Sequence, residues 1–131
     1  MSREHMEAVQ RSLDAWNRGD VDGMLTRVTD DTEYAIGEQN PNARLLRGRE
    51  ELAAYLRDWL DTVHGLHYEA SDMREAGETV LVLGTMTGRV GSEDGPELTA
   101  ELSFVLRFDG DVVVRGEEYL DAHQAVAAFE S

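Results

Sequence analysis

The sequence predicts an α+β fold in which a cone-shaped, curved antiparallel sheet wraps around three N-terminal helices, with a short C-terminal helix. Two observations support this prediction. Apolar residues recur at helical spacing up to Val63, and from Leu66 onward they alternate with polar residues. Short glycine-containing turns separate the alternating segments, and connections of this length join antiparallel neighbours.

Length and composition limit the classes of protein. The chain has 131 residues, so we expect a single domain over 1–131. It carries 27 acidic and 12 basic residues, a net charge of -15, which makes nucleic acid and anionic membranes poor partners. The chain lacks an apolar run near the ~18 residues of a membrane span, and its N-terminus lacks the order of a signal peptide, so we expect a cytoplasmic location.

Metal and cofactor sites are not expected. Without cysteine, a metal would need histidine and carboxylate ligands. The segment from Asp20 to Gly23 superficially resembles a calcium loop, but the fifth and ninth positions of such a loop are Met24 and Val28, which cannot ligate calcium.

The first half of the chain contains three predicted helices. Residues 4–18 form the first, and Gly19 follows where a C-terminal cap belongs. Asp20 can cap a short second helix, and a third helix follows Gly48 and ends at Gly65. Their apolar stripes are Met6, Val9, Leu13 and Trp16; Val21, Met24, Leu25 and Val28; and Leu52, Tyr55, Leu56, Trp59, Leu60 and Val63.

The strands follow from twofold alternation. A short strand is predicted at Thr32 to Ile36, and longer strands near 66–74, 79–90, 97–108 and 111–120. The segment from Gly37 to Leu46 has the composition of a loop and is a candidate lid or pocket rim. Asp121 can cap a short C-terminal helix that returns Val126 and Phe129 to the body of the protein.

The turn between the last two strands decides which of their residues face the helices. A bulged hairpin with residues 108–110 in its loop brings Ala100 opposite Glu118 and places Glu118 on the apolar inner face. The alternative two-residue turn would put the valines of the last strand on the polar face. In the preferred register the inner face carries Leu98, Ala100, Leu102, Phe104, Leu106 and Phe108, with Val112, Val114, Gly116 and Glu118 from the last strand.

The order of these elements and corners resembles the SnoaL-like branch of the nuclear transport factor 2-like superfamily. The resemblance covers nearly the whole chain, and it implies a pocket at the open end of a cone and, as in many members, a dimer. Its motifs are corners of the fold, so they indicate the fold rather than an activity. They are Asn17-Arg18-Gly19-Asp20, Asp30-Asp31, Leu46-Arg47-Gly48, Asp109-Gly110 and Glu118-Tyr119-Leu120-Asp121.

Three catalytic groups of that superfamily differ from this chain at the positions that resemble their catalytic residues. The ketosteroid isomerase roles are lost, because the matching positions are Ser12, Ile36 and Phe104. Of the limonene epoxide hydrolase set only Tyr34 and one acid, Glu118, are kept; the other positions are Ile36, Gly84 and Met86. SnoaL-type polyketide cyclases use an aspartate near the last strand, for which the nearest equivalent is Asp121 or Glu118, but their histidine-rich pocket pattern is not evident.

Glu118 and Tyr34 are the candidate catalytic residues, as proton carrier and hydrogen-bond donor. Burial on an apolar face would raise the pKa of the Glu118 carboxyl, as acid–base catalysis often requires. The alternative is a carboxylate at the pocket mouth, solvated or paired with an arginine such as Arg47. The candidates for binding a flat apolar ligand, whose alternative role is plain core, are Trp16, Tyr55, Trp59, Met86 and Phe104.

These residues leave two classes of function open. The first is an acid–base isomerase, cyclase or dehydratase that acts without a cofactor on a small apolar or polycyclic molecule held in the cone. The second is a non-catalytic module of the same fold, which binds such a ligand or another protein. A second polar group within hydrogen-bond reach of Glu118 would favour the first class over a simple binding role.

The outward sheet face also predicts a homodimer. It has an apolar centre with a charged rim, which is how a homodimer interface is built. The centre consists of Val105 and Val113 beside Leu81 and Leu83, and the rim of Arg107, Arg115, Glu101 and Glu117.

Overall fold

The computed structural model describes residues 4–37, 40–41 and 43–131. Within these ranges the chain forms α1 (Glu4–Asn17), α2 (Val21–Met24), β1 (Val28–Ile36), β2 (Leu45–Arg47), α3 (Gly48–Thr62), β3 (Val63–Ala76), β4 (Thr79–Val90), β5 (Glu97–Asp109), β6 (Val112–Tyr119) and α4 (Ala122–Glu130). The strands make one curved, open sheet in the order β2-β1-β6-β5-β4-β3. The predicted α+β cone is therefore confirmed.

The sheet is mixed rather than antiparallel throughout. Strands β3 to β6 form the expected antiparallel meander. Strand β1 pairs with β6, the last strand of that meander, and runs parallel to it. A parallel pair needs a long crossover, and here the crossover is α3 with the meander itself. The short strand β2, which pairs with β1, was not predicted because three residues are too few to show alternation.

A capping side chain fixes the start of α2 where the sequence placed it, whereas α3 has no side-chain cap and ends at Thr62 rather than at the predicted Gly65. Val28, predicted in the second helix, begins β1 instead. The Asp20 carboxylate accepts the backbone N–H of Gly23 at 2.9 Å, at the start of α2. Gly19 has a φ of +74°, which lets the chain turn sharply between α1 and α2. The three N-terminal helices pack on the inner face of the sheet through a core that includes Val9, Leu13, Leu25, Leu52, Leu56, Val80 and Val82.

Helix α4 covers part of the outer face, which corrects the predicted dimer interface. Leu81 and Val105 are 0% exposed because they pack against Ala125 and other apolar residues of α4. Val113 belongs instead to the core on the inner face. The proposed apolar centre is thus covered within the same chain, whereas dimerisation itself stays a prediction.

The register between β5 and β6 differs from the prediction. Asp109 pairs with Val112 across a two-residue turn, and the pairing then shifts so that Val114 is an extra residue in β6. This bulge turns Val113 inward and leaves Val114 exposed, because an added residue reverses the alternation of a strand. Glu118 is still on the inner face, but opposite Phe104 rather than Ala100.

The predicted lid segment can be described only in part. Residues 38, 39 and 42 lie outside the described residues. Its last residues are attached to the sheet: Ile36 donates its backbone N–H to Arg44, and Leu45 begins β2. Among the helices of the described ranges, none is long and apolar enough to cross a membrane.

Candidate active site

The site is built around the carboxylate of Glu118. This residue lies on β6, between Ile36 of β1 and Phe104 of β5, where the sheet faces the helices. It is 4% exposed, although the neighbouring glutamate, Glu117, faces the other side of the sheet and pairs with Arg115. Alternation along β6 therefore separates an acid paired with arginines on the outer face from a buried acid on the inner face.

Two tyrosine hydroxyls bind the Glu118 carboxylate, one on each oxygen. The hydroxyl of Tyr34, on β1, donates to Oε1 at 2.5 Å, and that of Tyr55, on α3, donates to Oε2 at 2.8 Å. Hydrogen bonds to an ionised acceptor are short and strong, so these two hold the carboxylate in one orientation. Tyr34 is thus one donor to Glu118 and Tyr55 is a second, whereas the role of Tyr34 as a donor in catalysis stays a prediction.

No arginine in the described part of the chain forms an ion pair with Glu118. Arg47, the arginine considered as a partner, instead lies 2.8 Å from Glu33. Burial raises the pKa of Glu118 above its ordinary value, and the two tyrosine hydrogen bonds oppose that rise. Burial, followed by the charge of Glu118, also raises the pKa of Tyr34 and of Tyr55, so both hydroxyls stay protonated as donors.

Gly116 makes room for the ring of Tyr34. The two residues are partners in the parallel β1–β6 pair, and a Cβ at Gly116 would lie 2.6 Å from Cδ1 of Tyr34. Such a distance requires the ring or the backbone to move. The glycine thus lets Tyr34 lie flat on the inner face and reach Glu118, two residues further along β6.

A second small residue positions Tyr68 in the same way. A Cβ at Gly84 would lie 2.4 Å from the hydroxyl of Tyr68, which donates to the backbone carbonyl of Leu102 at 2.6 Å. The backbone of Tyr68 is held by Asn17, whose side chain exchanges two hydrogen bonds with it, at 2.8 and 2.9 Å. The first corner motif of the chain therefore anchors α1 to a strand of the site.

The Glu118 carboxylate lines a cavity with mainly aromatic and apolar walls. The cavity is small: the space open to the centre of a water-sized molecule is about 40 Å³. It adjoins a more apolar cavity between the helices and the sheet, and five residues, including Tyr34 and Phe104, line both. The wall around Glu118 contains Trp16, Tyr34, Tyr55, Trp59, Tyr68 and Phe104, with Leu13, Met24, Leu56, Met86 and Leu102.

The cavity brings together all the predicted site residues. Glu118 and Tyr34 are hydrogen-bonded, and the five predicted ligand-binding residues are among the lining. The sequence analysis missed the lining residue Tyr68 and the contact between Tyr55 and Glu118. Tyr68 could have been found from the alternation of β3, in which Leu66 and Tyr68 are buried and their neighbours exposed.

Arg44 lies close to one of the aromatic residues of the wall. The guanidinium carbon of Arg44 lies 5.6 Å from the centre of the Tyr55 ring, at the described end of the predicted lid segment. Arg44 is exposed and is not part of the cavity wall.

Across the described residues, no group of three or more histidine and acidic side chains could hold a metal ion.

The fold is a cone-shaped α+β domain, and its described part has a buried carboxylate, Glu118, on the inner face of the sheet. The chain belongs to the SnoaL-like domain family, whose profile matches residues 9–116. No curated protein matches the sequence.

Solved structures share the fold over nearly the whole chain. A nuclear transport factor 2-like protein of unknown function from Burkholderia pseudomallei K96243 is 22% identical over 100% of both chains, with a TM-score of 0.80. A second such protein, from Burkholderia xenovorans LB400, is 26% identical over 98% of each chain, with a TM-score of 0.72. A protein assigned as a SnoaL-like polyketide cyclase from Shewanella denitrificans OS-217 is 14% identical over 98% of each chain, with a TM-score of 0.76.

Proposed function

We propose that the protein binds a small apolar or polycyclic molecule in the cone cavity, and that Glu118 transfers a proton to or from it in an isomerase, cyclase or dehydratase reaction. One observation carries this proposal. The Glu118 carboxylate is buried in an aromatic cavity, where two tyrosine hydroxyls orient it. An acid whose pKa is raised by burial is a better base near neutral pH than a solvated one.

The two tyrosines give the proposed proton transfer a second part. When Glu118 takes a proton from a carbon next to a carbonyl group, the C–H electron pair moves toward the carbonyl oxygen. Glu118 then loses its charge and holds the hydroxyls of Tyr34 and Tyr55 less strongly. Either hydroxyl can donate to the oxygen on which negative charge develops. The relative assigned as a polyketide cyclase supports a reaction class of this kind.

A second candidate function is binding without turnover. The two tyrosine hydrogen bonds that orient Glu118 for catalysis are also compatible with this role, since each oxygen already has a partner and the carboxylate can be a static part of the wall. In that case ligands would bind, but no proton would be exchanged.

Deuterium exchange tests the proposal without knowledge of the natural substrate. We expect the protein to speed exchange, in D₂O, of the protons next to the carbonyl of at least one neutral bicyclic ketone such as 1-tetralone, followed by NMR. Glu118→Gln should abolish the exchange while ligand binding, read from the fluorescence of Trp16 and Trp59, remains. The control Glu97→Gln changes an exposed glutamate that pairs with Arg89 and should exchange normally.

The other outcomes separate the candidates. Binding of ketones with no exchange by the unaltered protein would support the non-catalytic module. Exchange that survives in Glu118→Gln would remove Glu118 from the chemistry. No binding of any apolar or polycyclic compound would refute the proposed pocket.

A further inference from the structure

We infer that the ligand carries a positive charge: the cavity around Glu118 fits a quaternary or tertiary ammonium group on an apolar frame. The inference rests on the proposed function, because it uses the same cavity and specifies the chemical class of its ligand. It follows from the composition of the wall, the charge of Glu118 and the way its oxygens are already used.

The wall offers π-systems from several directions. Six aromatic side chains line the cavity, and they come from α1, α3, β1, β3 and β5. Pairs of them meet at steep angles, as between Tyr55 and Trp59 at 86° and between Tyr68 and Phe104 at 63°. The first pair belongs to one helix, α3, and the second joins β3 to β5, so rings at such angles line the space from more than one side instead of stacking into a flat slot. Aromatic faces attract cations, and quaternary ammonium groups are bound in cages of this kind.

The carboxylate adds a charge without a counter-ion. Among the residues that the structure places in the wall of this cavity, none is an arginine, a lysine or a histidine. A buried charge is costly unless another charge pairs with it, and two neutral hydroxyls compensate it only partly. A cationic ligand would supply the missing partner, whereas an anionic ligand would be repelled at short range.

The hydrogen bonds of Glu118 favour an ammonium group with few or no N–H donors. Each carboxylate oxygen already accepts a hydroxyl, from Tyr34 or Tyr55. A primary ammonium brings three donors that need acceptors, and the apolar wall offers few of them. A quaternary ammonium needs none and can approach the carboxylate through its methyl groups without displacing the tyrosines.

Two further features agree with a cationic ligand. Arg44 already places a guanidinium over the ring of Tyr55, which is one of the rings of the wall. Arg44 is exposed, so water and salt weaken its charge toward the cavity, although, against the larger effect of burial, that charge still lowers the pKa of Tyr55. The net charge of -15 also attracts cations toward the protein and repels anions.

A pair of isosteric probes tests the charge alone. Phenyltrimethylammonium and tert-butylbenzene have the same shape, and only the first is charged; binding of each is followed by tryptophan fluorescence and by NMR line broadening of the probe. We expect the cation to bind about tenfold tighter or more, the ratio that corresponds to ~1.4 kcal/mol. Glu118→Gln should remove most of this preference and leave the neutral probe within about twofold, in line with the loss of one charge.

Two other variants keep the result specific to the cavity. Glu97→Gln removes one exposed negative charge and should leave both affinities unchanged, which separates the site from general attraction by the acidic surface. Trp59→Leu removes a half-buried ring of the wall, so it should weaken binding of the cation more than binding of the neutral probe. This variant tests the inference even where Glu118→Gln does not fold.

The outcomes distinguish this inference from the proposed function. Equal affinities, or tighter binding of tert-butylbenzene, would overturn the cationic ligand but leave the apolar pocket intact. The inference of a cationic ligand would also be overturned if Glu118→Gln and Glu97→Gln reduced the preference for the cation equally. The preference would then come from the acidic surface rather than from the cavity. Binding of neither probe would refute the pocket and the inference together.

Discussion

Glu118 combines burial, a negative charge and neutral donors, and this combination determines how it should respond to pH. Its carboxylate is removed from water by the sheet and by α3, and the tyrosine hydroxyls return only part of the lost solvation. The pKa of Glu118 is therefore higher in the folded protein than in the unfolded chain, where it is ~4.3. The folded state consequently binds a proton more tightly than the unfolded state does.

This difference makes the stability contribution of Glu118 fall as pH rises. The contribution is fully present below the unfolded pKa and is lost as the pH rises through the higher folded pKa. The free energy of unfolding is measured by urea denaturation for the unaltered protein and for Glu118→Gln, between about pH 4 and pH 8. As the pH rises, we expect the unaltered protein to lose stability relative to Glu118→Gln. The expected size is about 1.4 kcal/mol for each unit by which the pKa is raised.

The matched variant Glu97→Gln should show no such trend over the same range, because Glu97 is exposed. A difference that moved in favour of the unaltered protein with rising pH would contradict the argument. It would mean that the hydrogen bonds from Tyr34 and Tyr55 outweigh the loss of solvation.

At the scale of single elements, α4 has a different role from the other helices. It lies on the outer face of the sheet, where it covers Leu81 and Val105. The carboxylate of Asp121 caps it by accepting the backbone N–H of His123 at 2.8 Å. The contact at the start of the helix is reinforced by Glu101 of β5, which accepts the N–H of Ala122 at 2.7 Å.

Capping accounts for Asp121, which the family resemblance had offered as an alternative catalytic acid. Replacing Asp121 by alanine should lower the free energy of unfolding by about 1 kcal/mol, measured by urea denaturation, because the cap of α4 is lost. Asp121→Asn keeps a capping oxygen and should retain most of the stability and all of the ketone exchange. If a stably folded Asp121→Asn variant lost the ketone exchange, Asp121 would again be a candidate catalytic acid.

At the scale of the whole molecule, α4 leaves only part of the outer face open for a partner. Val114, the bulge residue of β6, is 44% exposed, and it lies next to Arg115 with its ion pairs to Glu33 and Glu117. We propose that Val114 lies at the dimer contact, with the charged network as the polar rim that such contacts have. The dimer predicted from the sequence would then use this part of the sheet.

Light scattering at micromolar concentration should give twice the 14.6 kDa mass of one chain. Val114→Asp should shift the protein toward the monomer, because a charge would be buried at the contact. Val90→Asp is the matched control: Val90 is a similarly exposed valine, at the end of β4, and its replacement should leave the mass unchanged. A monomeric mass for the unaltered protein would refute the dimer.

Local features of the sequence determined most of the elements and part of the site. The spacing of apolar residues predicted α1, α3 and the four strands of the meander, because that pattern reflects which side of one element meets the core. Short-range capping chemistry located Asp20 and Asp121. The expected bulged hairpin placed Glu118 on the inner face, where the structure has it, although the bulge lies within β6 and the partner in β5 is Phe104 rather than Ala100, four residues further along the strand.

Only the tertiary structure decided how distant parts of the chain meet. The Glu118 carboxylate contacts tyrosines 84 and 63 residues away in sequence, and no local pattern specifies contacts of that range. The parallel pairing of β1 with β6 and the position of α4 on the outer face likewise depend on which surfaces remain uncovered once the meander has formed. Sequence periodicity shows that a face must be buried, whereas the element that buries it is selected by packing among all the elements.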